Sequence, residues 1–168
     1  TQWRMPAEWT DHERTWMAWP SHGYTLGDTP EEVESARTTW ATVARTVARF
    51  EPVTLVVPPA DIHLCREYLR NDTAHPIDIV VADLDDAWMR DIGPTFVVAG
   101  DRLGGVDWVF NGWGAQQWAS WDDDAQVAEL VSDFAGAAHL PSTLVNEGGG
   151  IHVDGQGTVL LTETVQLD

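Results

Sequence analysis

Apolar positions recur along this chain in two rhythms, one helical and one of short unbroken runs, and the elements follow from which rhythm holds where. Val33, Trp40, Val43, Ala44 and Val47 fall at helical spacing, predicting a helix from Pro30 to about Phe50 with these residues facing the core. Thr29-Pro30-Glu31-Glu32 opens it, with Thr29 as cap, Pro30 at the first helical position and Glu32 completing a capping box. Arg14 to Trp19 reads as a strand stopped by Pro20, Val53–Val57 as a buried strand after Pro52, and Ile77–Ala82 as a third. A second helix, roughly Ala60 to Leu69, separates the last two. Thr1 to Glu13 and Ser21 to Pro30 carry no such rhythm and read as irregular chain.

Further on, strands are expected at Thr95–Ala99 and Val106–Phe110, with Gly100-Asp101 and Gly104-Gly105 as turn chemistry between them. Gly112 to Asp122 is a Trp-rich loop, and Asp122-Asp123-Asp124 caps a helix through about Gly136. Leu144-Val145 leads into a glycine stretch, and Thr158 to Val165 is the last strand. The order is strand, helix, strand, helix, strand, then strand pair, helix, strand pair, which is a mixed α/β fold. No linker or low-complexity segment suggests a second independent domain.

Composition narrows the function classes. A chain of 168 residues with 43% hydrophobic residues and ten Trp folds around a sizeable core. Nine basic against 27 acidic residues give −18, which makes nucleic acid and anionic membrane poor partners and attracts cations. The lone Cys65 forms no internal disulfide and fits a reducing cytoplasm. No apolar run reaches the length of a membrane span.

Candidate chemistry concentrates in two stretches. Asp85-Asp86-Ala87-Trp88-Met89-Arg90-Asp91-Ile92-Gly93-Pro94 turns between two strands, so its side chains can face a cleft. Asp86 and Asp91 offer carboxylates and Trp88 a flat face, the groups that hold a guanidinium by its edge and its plane. The same residues also suit a solvated acidic turn with a Trp tucked into the core. The second stretch is Asn146-Glu147-Gly148-Gly149-Gly150-Ile151-His152-Val153-Asp154-Gly155, where three glycines permit unusual backbone angles and close approach, aiming Glu147 into a tight cleft. Cys65 sits in an amphipathic helix, where burial keeps a thiol inert, and reads as core. The six histidines are scattered without metal-ligand spacing, and nothing points to a metal or another cofactor.

In order, four segments carry a resemblance: Glu8 with His12 to Pro20, Trp88 to Pro94, Phe110-Asn111-Gly112-Trp113-Gly114, and Glu147 to Gly155. Together they resemble the agmatine deiminase family, within the guanidine-modifying penteins and related to bacterial peptidyl-arginine deiminases. The resemblance implies an α/β propeller of five ββαβ units, of which residues 1–168 hold the first two to three as the N-terminal part of a single catalytic domain. It implies a cytoplasmic hydrolase that converts agmatine and water to N-carbamoylputrescine and ammonia, in polyamine metabolism. There a cysteine thiolate attacks the guanidinium carbon while a histidine serves as general acid and base.

Carried over by position, Asp91 and Glu147 match the two guanidinium-binding carboxylates, Trp88 the residue beside the substrate, and Asp86 a further group on that wall. Arg90 reads as a structural partner for nearby carboxylates. His152 and Asp154 have the His-x-Asp shape of a catalytic pair, yet in the family that pair belongs to a later motif, and the alternation also fits a half-buried strand. The family's nucleophile motif has no counterpart in these residues, so the 168-residue chain alone is expected to be inactive. The partners implied are a cationic guanidine and either the other half of the enzyme or a second copy. Peptidyl-arginine deiminase and a non-catalytic guanidine-binding or assembly module are the alternatives.

Overall fold

The computed structural model describes residues 2–70 and 72–167; Thr1 and Asp168, the ends of the expected domain, lie outside the described residues. The chain forms two compact units, one of Asp11–Met89 with Trp118–Ser120, the other of Thr1–Thr10, Arg90–Gln117 and Trp121–Asp168.

The first unit is built on a parallel sheet in the order β1 (Thr15–Ala18), β2 (Val53–Val57), β3 (Ile77–Val81). Parallel neighbours need crossovers. Helix α2 (Pro30–Val47) supplies one, and a 3₁₀ turn at Pro59–Asp61 followed by α3 (Ile62–Tyr68) supplies the other. A single turn, α1 (Gly23–Leu26), precedes α2. All five residues of the central strand β2 are buried, which explains its unbroken apolar run. Around it pack Trp19, Ala41, Ala44, Ala48 and Cys65.

The capping box forms as expected: the Glu32 N–H donates to Thr29 Oγ1 at 3.2 Å, and the Thr29 N–H donates to Glu32 Oε2 at 2.9 Å. The helix ends at Val47, and Phe50 lies exposed beyond it. Val43 is a correction. It is 45% exposed, because the buried stripe is centred on the small residues Ala36, Ala41 and Ala44, which bring the helix close to the sheet.

In the second unit β4 (Thr95–Ala99) pairs antiparallel with β5 (Arg102–Val109), and β5 pairs parallel with β6 (Ala138–Val145). A 3₁₀ turn at Asp124–Gln126 and α6 (Val127–Phe134) connect β5 to β6, completing a ββαβ arrangement. Before it stands the one-turn helix α4 (Met89–Ile92), and the irregular turn α5 (Gly112–Ala115) follows β5. The hairpin β7 (Ile151–Val153) and β8 (Val159–Leu161) and the short α7 (Glu163–Leu167) close the described chain.

Three expectations change here. Gly104 and Gly105 are not a turn but the middle of β5: a Cβ on Gly105 would meet Ser132 Oγ at 2.2 Å and one on Gly104 would meet Leu140 at 2.8 Å. Their glycines let α6 and β6 pack closely. Strand β6 starts at Ala138, well before Leu144, and contains Pro141, which an edge strand tolerates. The last strand stops at Leu161, since the Thr162 carbonyl accepts from the Val165 and Gln166 N–H groups and Gln166 Nε2 donates to Asn146 Oδ1 at 2.6 Å. Those contacts outweigh the β-branched character of Thr162 to Val165.

Candidate functional site

Asp91 projects from α4, a turn too short to be stable by propensity and fixed instead by what its side chain reaches. Asp91 Oδ1 accepts from the Gly149 N–H at 3.0 Å, and Oδ2 accepts from Trp113 Nε1 at 3.1 Å. Burial pushes its carboxyl above the usual range, opposed by these two donors and by the Arg90 charge. Glu147, 9% exposed, holds its carboxyl above the usual range through burial first and the neighbouring Asp91 charge second. Among the described residues none donates a hydrogen bond to the Glu147 carboxylate. Two desolvated carboxylates that repel one another are a poor arrangement for two anions. They are a good one for an anion pair with a delocalised cation between them.

The glycines after Glu147 serve approach, not unusual dihedrals. Gly148, Gly149 and Gly150 form a 3₁₀ turn, and none has positive φ. A Cβ would meet the Arg90 carbonyl oxygen at 2.3 Å from Gly148, Asp91 Oδ1 at 2.4 Å from Gly149, and Val165 at 2.7 Å from Gly150. The run brings the Gly149 N–H onto the Asp91 carboxylate, where a side chain would crowd it.

Sequence reasoning missed Trp113. It placed this residue in a family-like strand and turn and in a Trp-rich loop without a role in the site, whereas its indole meets Asp91 and stands edge-on to Phe110, centroids 5.1 Å apart. The signal lay in Asn111-Gly112-Trp113-Gly114: Asn111 Oδ1 accepts from the Gly114 N–H at 2.9 Å, holding a turn that aims the indole. Arg90 takes its expected structural part, 2.6 Å from Glu8 Oε1. His152 Nδ1 lies 3.9 Å from Glu8 Oε2 on the exposed side of β7. Asp154 Oδ1 accepts from the Gln156 and Thr158 N–H groups and so closes the hairpin; backbone hydrogen bonding, led by Gln156, lowers its carboxyl pKa.

The other two candidates belong to the parallel-sheet unit. Asp86, 4% exposed, accepts from the Tyr24 N–H at 3.0 Å, the Thr25 N–H at 3.2 Å and its neighbour Ala87 N–H at 2.8 Å. Trp88, 38% exposed, stands edge-on to Trp40 with centroids 6.3 Å apart. An open depression of about 420 Å³ on that unit is lined by Arg66, Leu69, Thr73, Ile77, Asp78 and Ile79. It contains none of the candidate residues, so shape alone does not find the chemistry. Among the described residues no group of His, Cys, Asp and Glu is arranged to hold a metal ion.

The model of the family described as Porphyromonas-type peptidyl-arginine deiminase matches residues 4–168. The chain belongs to that family. It is 61% identical over 165 residues to a Streptomyces coelicolor protein provisionally named agmatine deiminase, covering 98% of this chain and 47% of the relative. It is 40% identical over 171 residues to the agmatine deiminase of Ectopseudomonas mendocina, covering 98% and 44%. The solved structure of the agmatine deiminase of Enterococcus faecalis superposes with a TM-score of 0.87 at 34% identity, over 99% of this chain and 45% of that one. The mixed α/β fold is thus that of the agmatine deiminase structures. The chain spans about half the length of the curated relatives it matches.

The one cysteine present is in the wrong chemical state for nucleophilic attack. Cys65 is fully buried, and desolvation with the nearby Asp61 charge pushes its thiol up to about 12.

Proposed function

We propose that Asp91 and Glu147 hold the guanidinium of agmatine in an agmatine deiminase-like hydrolase. In that enzyme the nucleophilic cysteine and the acid–base histidine come from the part of the longer relatives that this chain does not span. The observation that carries the reading is the carboxylate pair, both members kept from easy ionisation by burial, and Glu147 by Asp91 as well. A guanidinium between them relieves that repulsion and offers up to five N–H donors in a planar fork. Keeping the substrate cationic also keeps its central carbon electrophilic, which attack by a thiolate requires.

In this reading residues 1–168 are the N-terminal part of one catalytic domain, and the ββαβ arrangement of β4, β5, α6 and β6 is one unit of a five-unit propeller. Trp88 takes the place beside the substrate that the resemblance gives it. Asp86 serves that wall indirectly, since its oxygens already accept backbone N–H groups. Agmatine is preferred over a peptidyl arginine because relatives at 40–61% identity carry the agmatine deiminase name. The family's own description keeps protein citrullination as the second reading. The lone thiol of Cys65 fits a cytoplasmic setting.

Titration of agmatine against the ¹⁵N-labelled chain tests the site. Shifts centred on Gly149 and the Glu147 backbone, abolished by both Asp91→Asn and Glu147→Gln, are expected. Unchanged spectra at millimolar agmatine would remove the reading.

A further inference from the structure

We infer that Trp113 is a positioning residue of this site: its indole N–H fixes one oxygen of Asp91 so that the carboxylate presents both oxygens to a guanidinium edge. The inference rests on the proposed role of Asp91 and says how that role is built.

The geometry is specific. A carboxylate has about four lone-pair directions. Gly149 N–H occupies one on Oδ1 at 3.0 Å, and Trp113 Nε1–H occupies one on Oδ2 at 3.1 Å. One donor per oxygen stops the carboxylate from rotating about its χ2 and leaves a lone pair on each oxygen, the requirement for two parallel N–H···O bonds. A single donor would leave a carboxylate that swings.

The backbone around Trp113 is held in a costly state to achieve this. Trp113 has φ 58° and Ala115 φ 54°, both in the left-handed region that residues with a Cβ avoid. Gly112 at φ 65° and Gly114 at φ 85° share the strain-free part of the same turn. Gly112 also accepts no side chain, since a Cβ there would lie 2.2 Å from the Trp121 ring. A bulky aromatic forced to left-handed backbone, in a turn held by Asn111 and set edge-on to Phe110, is a rigid arm whose polar end lands on one carboxylate oxygen. Strain of this kind collects at functional sites. A Trp present only to fill space needs neither the strain nor an N–H aimed at an acid.

The chemistry gives the arm a second effect. Indole is a donor only, so the bond favours the ionised carboxylate and works against its burial. Trp113 therefore both orients Asp91 and offsets part of the burial that disfavours its charge.

The decisive variant is Trp113→Phe, which keeps the ring against Phe110 and removes the N–H. In the ¹³C-labelled 168-residue chain, the Asp91 carboxyl titration midpoint should rise in Trp113→Phe, and agmatine affinity should fall about tenfold or more, the effect of losing a hydrogen bond to a charged group. A filler role would lower the melting temperature and leave the Asp91 midpoint unmoved, and that outcome overturns the proposal. Should Trp113→Phe not fold, the unaltered chain decides: the Trp113 indole N–H resonance must titrate with the Asp91 carboxyl, and an indole signal flat through that range overturns the proposal equally. Asp91→Asn separates the two claims. Agmatine binding unaffected by Asp91→Asn defeats the site assignment itself, whereas binding lost in Asp91→Asn but kept in Trp113→Phe defeats only the role of Trp113.

Discussion

A side chain on Gly148 would come within 2.3 Å of the carbonyl oxygen of Arg90, and that oxygen belongs to backbone that cannot rotate aside. The neighbouring Gly149 is crowded instead by Asp91 Oδ1 at 2.4 Å, the end of a side chain. The two alanine substitutions should therefore fail differently. Gly148→Ala forces apart two segments of backbone and should cost about 2–3 kcal/mol of stability, the scale of overpacking a filled site. Gly149→Ala should cost less and instead displace the Asp91 carboxylate, so that agmatine binding is lost in a chain that still melts cooperatively. Urea unfolding beside agmatine titration of both variants checks this; equal stability losses would show that approach to Asp91 is not what Gly149 provides.

Stability should respond to pH through the carboxylate pair. Both carboxyls titrate above the ordinary range in the folded chain, so between the unfolded and folded pKa values the fold binds more protons than the unfolded chain. Their stabilising contribution is fully present below about pH 4, the ordinary carboxylate value, and is lost as pH rises through the folded values. Glu147→Gln removes one of the two anions. Its melting temperature relative to the unaltered chain should be equal or higher at pH 7, with the advantage fading toward pH 4. A variant less stable at pH 7 than at pH 4, on the same relative scale, would contradict the assigned directions.

Asp86 should prove to be scaffold. Its carboxylate accepts N–H groups from Tyr24, Thr25 and Ala87 and sits against Gly23, whose φ of +76° brings the α1 turn onto it. Asp86→Ala leaves buried donors without an acceptor, at about 1–3 kcal/mol. A loss under about half a kcal/mol by equilibrium unfolding would point instead to a carboxylate free to face substrate.

The purified chain should release no ammonia from agmatine or from arginine, and Cys65→Ala should change nothing. With its thiol near 12, fewer than about one Cys65 in a thousand is thiolate at pH 8. Iodoacetamide should therefore label Cys65 only after unfolding. Rapid labelling of the native chain, or ammonia release that Cys65→Ala abolishes, would make this buried thiol a nucleophile after all.

The chain should also associate. Leu144 and Val145 on β6 and Val159, Leu160 and Leu161 on β8 are 52–64% exposed, far more apolar strand surface than a free monomer usually leaves in water. On the proposed reading the partner is the part of the longer relatives that this chain does not span, and otherwise a second copy. Light scattering should give a concentration-dependent mass above 18.6 kDa, reduced by Leu160→Lys. A sharp monomer at all concentrations would sink the idea.

How much of this was legible in the residues differs from place to place. The start of α2 could be read because capping chemistry is local: Thr29 and Glu32 need only each other. Strand β2 could be read because full burial leaves an unbroken apolar run. Asp91 and Glu147 were proposed from their motifs, and the Gly149–Asp91 bond joins the two stretches. Gly104 and Gly105 misled because glycine marks both turns and close approaches, and only Ser132 and Leu140, distant in sequence, decide between them. The end of β8 misled for the same reason, since Asn146 and Gln166 settle it. Trp113, though within a quoted motif, was given no site role because its left-handed backbone and its bond to Asp91 do not show in its residue type.

The bond from Gly149 to Asp91 spans 58 positions of sequence. A site made of such long-range contacts has no partial form: closing that loop costs entropy before any contact rewards it, so its order of assembly is set by topology. The acidic pair should therefore come together after local structure such as α2 and its cap. A guanidine that requires the pair then binds only closed chain, and would draw the folding equilibrium toward itself in proportion to its concentration.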